Sequence, residues 1–94
     1  MINIQVTVNN FEMTPSMHIL INEKIAIPLD KYLAHLSDDQ KKAQMHIEFE
    51  NPNIFKVNFS MNHIYSEARH INLESALVDL REQLEVQIKK IKEQ

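Results

Sequence analysis

Cysteine and glycine are both absent from this chain of 94 residues. Without cysteine there is no disulfide framework, thiolate zinc site, iron–sulfur cluster or cysteine nucleophile, so the fold has to be held by its apolar core. Glycine at its usual frequency of about 7% would occur roughly six or seven times. Its absence removes the phosphate-cradling glycine loops and the nucleophile elbow, whose backbone geometry a Cβ blocks, and so argues against a nucleotide-binding enzyme. Turns have to rely on Asn and Asp, which tolerate positive φ better than other residues with a Cβ. No run approaches the roughly 18 consecutive apolar residues of a membrane helix. The start, Met1 to Asn10, lacks the basic region and long apolar core of a targeting segment. A cytoplasmic protein with no membrane partner is expected. Positive charge is not in excess either: 10 Lys plus Arg against 13 Asp plus Glu give a net charge of −3, with five His that offset it below neutral pH. Overall basicity therefore does not mark a nucleic-acid binder.

What is present is ordinary for a globular protein, 44% apolar and 24% charged residues. The length suits one domain over residues 1–94. Ile2, Ile4, Val6 and Val8 alternate with polar residues, as a strand with one buried face does. After Asn9-Asn10, Thr14-Pro15 supplies a helix cap and a proline at the first helical position. Met17, Leu20, Ile21, Ile25, Leu29, Tyr32, Leu33 and Leu36 predict an amphipathic helix to about residue 36. Pro28 predicts a kink or break near Ile27, or two consecutive helices. Beyond a polar loop over residues 37–42, Met45, Ile47 and Phe49 mark a second strand. Asn51-Pro52-Asn53 turns the chain into a third, with Phe55, Val57, Phe59 and Met61 on one face. A turn at Asn62-His63 makes residues 64–70 a fourth strand. Asn72 caps a last helix whose Leu73, Leu77, Leu80, Leu84, Ile88 and Ile91 fall within an arc of roughly 80°. The order β-α-β-β-β-α predicts a two-layer α+β domain, a four-stranded sheet with two helices on one face.

Chemistry is sparse. His46, Glu48, His63 and Glu67 could meet across strands as metal ligands, but His and Glu are equally ordinary on the polar face of a one-sided sheet. No metal site, cofactor or small-molecule substrate is predicted. No nucleophilic triad order is present and no carboxylate pair is set for acid–base work, so no catalytic residue is predicted. Phe49, Phe55 and Phe59 share their strand faces with Met, Ile and Val, which makes them core rather than a base-stacking platform. Lys89, Lys90 and Lys92 complement the negative pole of the last helix and can also meet phosphates. Val78 and Val86 fall opposite the leucine stripe, flanking Glu82, so both are expected to be exposed, either as scattered surface or as a protein contact.

Taken over almost its whole length, the chain resembles the short ribosome hibernation-promoting factors, also called the ribosome-associated inhibitor or sigma-54 modulation family. The resemblance lies in the opening INIQVTVNNFEMTPSM, the LDKYL toward the end of the first helix, and the capped final helix NLESALVDLREQLEVQIKKIKEQ. It implies a fold similar to double-stranded RNA-binding domains. It also implies a non-enzymatic factor that binds rRNA of the small ribosomal subunit near the decoding region and silences or preserves idle ribosomes. Basic side chains would reach phosphates, with shape rather than base sequence being read. Lys24, Lys90 and Lys92 match places where the family is basic, and Lys31, Arg81 and Lys89 lie nearby. His18 stands where an arginine is common, Gln83 and Val86 occupy usually basic sites, Glu74 replaces an aromatic residue, and the family's Gly-Gly hairpin is missing. The alternative reading is a protein-interaction or self-association module on the same fold, using Val78, Val86 or the polar sheet face.

Overall fold

The computed structural model describes residues 2–33, 41–50, 53–62 and 64–93, with side chains through residue 90. Along the chain run β1 (Asn3–Asn9), α1 (Pro15–Ile21), a π-helical turn (Asn22–Ala26), α2 (Ile27–Asp30), β2 (Lys42–Glu50), β3 (Ile54–Met61), β4 (Ile64–His70) and α3 (Leu73–Glu93). The first three helical pieces are contiguous, so the order is the predicted β-α-β-β-β-α. The sheet order is β1-β2-β3-β4. β1 lies parallel to β2 with Val6 opposite Met45, as a helical crossover permits, and the other two pairs are antiparallel. Residue alternation in β2, β3 and β4 turns Met45, Ile47, Val57, Phe59, Ile64 and Ala68 inward. Both helical elements close over that face with Ile21, Ile25, Leu29, Leu77, Leu80, Leu84 and Ile88. Ser66 is buried among them, and its hydroxyl donates to the Gln83 side chain, so a polar group taken out of water keeps a partner.

Pro28 does not end the first helical run. The Ile27 N–H reaches back five residues to the Asn22 carbonyl, so the irregularity expected near Ile27 takes the form of a widened turn just ahead of the proline. That geometry relieves the clash of the proline ring with the preceding turn. The run does not reach residue 36. It stops at Asp30, where Tyr32 and Leu33 donate to the Leu29 and Asp30 carbonyls at 3.0 and 3.2 Å, a tightened last turn. Leu36 and most of the predicted loop lie outside the described residues, as do Asn51, Pro52 and His63. β2 begins at Lys42, earlier than the alternation from Gln44 indicates.

Asparagine supplies the left-handed positions that glycine usually takes: Asn10 has φ 70° and Asn62 φ 54°. A third asparagine caps α3, the Asn72 Oδ1 accepting from the Glu74 and Ser75 N–H groups at 2.8 and 3.3 Å. Asn72→Ala is expected to cost about 1 kcal/mol of stability, read as a lowered urea midpoint with unchanged slope. Among the described residues no helix is long and apolar enough to cross a membrane.

Candidate nucleic-acid interface

The topology brings the last turns of both helical elements and the first residues of β1 and β2 to one end of the molecule. Asp30 ties that end together. Its Oδ1 accepts from the Ile2 N–H at 3.2 Å and lies 3.6 Å from the Lys41 Nζ, whose side chain is only 9% exposed. This places Lys31, the next residue, at the rim, and it is exposed. Tyr32 follows, and Lys89 of α3 sets its ammonium 5.7 Å from the centre of the Tyr32 ring, within reach of a cation–π attraction. Lys90 is exposed beside it, and Lys42 is exposed at the start of β2. Lys31, Lys89 and Lys90, singled out from the sequence, thus share one end with Lys41 and Lys42, which were not. Both helical runs also point their C-terminal carbonyl poles at this end, and the lysines offset that partial negative charge.

Two of the remaining predicted cations, Lys24 and Arg81, sit elsewhere. Lys24, in the π-helical turn, pairs with Glu74 at 3.6 Å. The Arg81 Nε is 3.5 Å from Glu85 one helical turn on, and that nitrogen is buried without a hydrogen-bond acceptor. Neither joins the lysine end. The side chain of Lys92 lies outside the described residues. The other two cations, Lys56 and Arg69, belong to an ion-pair network on the open sheet face, Lys56 with Glu67 at 3.6 Å and Arg69 with Glu67 and Glu50 at 3.5 and 3.8 Å. Toward the opposite end lie Glu50, paired with Arg69, Glu74, paired with Lys24, and Asp79 beside His70. The chain is therefore negative in sum, while Lys31, Lys89 and Lys90 are exposed together at one end.

The other candidates resolve differently. His46 hydrogen-bonds Thr7 across the parallel pair at 2.9 Å and faces Asn58, which in turn faces Glu67. Two strand spacings, roughly 10 Å, therefore separate His46 from Glu67. Among the described residues no three His, Asp or Glu side chains come close enough to hold a metal ion. Phe59 is fully buried, whereas Phe49 and Phe55 form the rim of the core, their rings in edge contact at 5.1 Å, with Phe11 on Phe55 at 5.7 Å. Val86 is exposed as predicted. Val78 is not: it is half-buried beside His70 and Asn72, where the chain turns from β4 into α3 and shelters the first turns of the helix.

A family profile described as sigma 54 modulation protein / S30EA ribosomal protein matches residues 4–94. A search of curated proteins finds no match. Among solved structures, the chain is similar to the N-terminal domain of Thermus thermophilus Protein Y, with a TM-score of 0.71 and 20% identity over 96% of this chain and 99% of that one. It is also similar to a ribosomal subunit interface protein from Coxiella burnetii, with a TM-score of 0.69 and 19% identity over 99% of this chain and 100% of that one.

Proposed function

The chain belongs to the sigma 54 modulation / S30EA ribosomal protein family, and from that premise we propose that it is a non-enzymatic ribosome-associated factor that binds rRNA of the small subunit near the decoding region and holds the ribosome idle. The observation that carries this reading is the lysine end. An rRNA surface is a dense array of phosphates, and a protein with net charge −3 gains from it only by presenting a locally positive part. Lys31, Lys89 and Lys90 form that part, with Lys42 at its border. Because such contacts go to phosphates, they fix position without reading base sequence. The effect is occlusion of a site, which needs no reacting group.

Salt dependence tests this directly. With three phosphates neutralised, raising monovalent salt fourfold is expected to weaken binding to purified small subunits by about 40-fold. The measurement is a pelleting titration at two salt concentrations. An affinity that does not change with salt would count against electrostatic docking through the lysine end.

A further inference from the structure

β1 is an edge strand, and it lacks two of the devices that usually keep such an edge from pairing, charged side chains and proline. From Met1 to Phe11 no side chain is charged and there is no proline. The other edge differs. β4 carries Glu67, Arg69 and His70, and its Tyr65 carbonyl is taken by the Gln87 side chain at 2.8 Å. Among the described residues β1 pairs only with β2, and its inward residues Ile4, Val6 and Val8 stay half-buried while Met45 and Ile47 of β2 and Val57 and Phe59 of β3 are buried. A groove of about 170 Å³ runs beside it, between Ile4 and Val6 on one side and His18 and Asn22 on the other.

We infer that the β1 edge is a self-association surface, and that a second copy of this chain pairs with it antiparallel to make one continuous sheet of eight strands. The strand is self-complementary about its middle residue. A two-fold axis at Val6 sets Val6 opposite Val6 of the second copy, Ile4 opposite Val8, Gln5 opposite Thr7 and Asn3 opposite Asn9. Every apolar side chain then meets an apolar one on the core side, and every polar one meets a polar one on the open side. No charge is brought against a like charge, although the molecule as a whole is negative. The half-buried Ile4, Val6 and Val8 gain the neighbours they lack, and the outward backbone groups of β1 gain partners.

Sedimentation equilibrium of the full chain over a wide concentration range is expected to show monomer and dimer. Gln5→Lys with Thr7→Lys, both at exposed positions, sets like charges opposite each other twice across the axis. It is expected to weaken the dimer at least about tenfold while leaving the circular dichroism spectrum unchanged. In this cysteine-free chain, Val6→Cys is expected to give a disulfide-linked dimer under mild oxidation, since opposed Cα atoms in an antiparallel pair stand about 4.5–5.5 Å apart. Asn9→Cys is not, because its two copies would lie about 20 Å apart. A monomer at every concentration, a dimer indifferent to the paired lysines, or equal cross-linking at positions 6 and 9 would overturn the inference. Ribosome association is separable from it: the double-lysine variant, which only adds positive charge, is expected to pellet with small subunits at least as well as the parent chain.

Discussion

The triple substitution Lys31→Glu, Lys89→Glu, Lys90→Glu is expected to lower affinity for the small ribosomal subunit by roughly 10³- to 10⁴-fold at about 0.15 M salt. Each phosphate neutralised by a cation contributes about 0.7 log units at that ionic strength relative to 1 M, so three contribute about two log units. Reversal rather than removal of the charge about doubles the effect, because attraction is replaced by repulsion. All three residues are exposed at the ends of their helices. Their replacement adds negative charge near helix C-termini, which costs only a few tenths of a kcal/mol each to about 1 kcal/mol. The variant should therefore fold, and a loss of pelleting in a protein with the parent's circular dichroism reports binding alone. Lys24→Glu is the contrast: Lys24 already faces Glu74 at 3.6 Å, away from the lysine end, so its reversal should cost far less binding. Losses in proportion to the charge removed, one third as many log units for Lys24→Glu as for the triple variant, would mean that net charge, not the cluster, governs association.

Phe59→Ala is expected to destabilise the fold by about 3–5 kcal/mol, against a total of about 5–14 kcal/mol for a domain of this size. Phe59 lies in β3 opposite Met45 and Ser66, fully buried in the core. Phe49→Ala removes the same atoms from the rim, where the ring touches Phe55 and solvent, and should cost about half as much or less. With about 4–8 °C of melting temperature per kcal/mol, the Phe59 variant should melt at least about 12 °C below the parent. Thermal denaturation of the two variants side by side checks the difference. Similar losses would show that the rim and the centre of the core are packed alike.

Much of this architecture was readable because its periodicities are strong. The stripe of α3 is continuous, and Leu73, Leu77, Leu80, Leu84 and Ile88 are all buried. The strand over residues 64–70, whose alternation is the weakest of the four, still forms as predicted, with Ile64, Ser66 and Ala68 inward. The first helical run is shorter than its apolar spacing indicates, because Tyr32 and Leu33 continue that spacing past its last residue, Asp30. The chain leaves the helix at Asp30, where the carboxylate accepts from the amide of Ile2 and faces the buried ammonium of Lys41, contacts with distant parts of the chain. Of the candidate site, Lys31, Lys89 and Lys90 were legible as cations near helix ends. Lys41 and Lys42 were not, since nothing in a strand's opening residues says which helix ends beside it. Nor could spacing show that Lys24 and Arg81 are engaged by Glu74 and Glu85.

The amino-acid order by itself determined the element types and the buried face of each, because both follow from where apolar side chains recur at periods of two or 3.6. It also determined that asparagine must make the tight turns, as no glycine was there to do so. The tertiary structure alone decided that β1 runs parallel to β2 at the sheet edge, and that five lysines from three separate segments meet at one end. Those outcomes depend on crossover direction and strand order, which are settled by how elements pack together and leave no mark in the periodicity of any one of them.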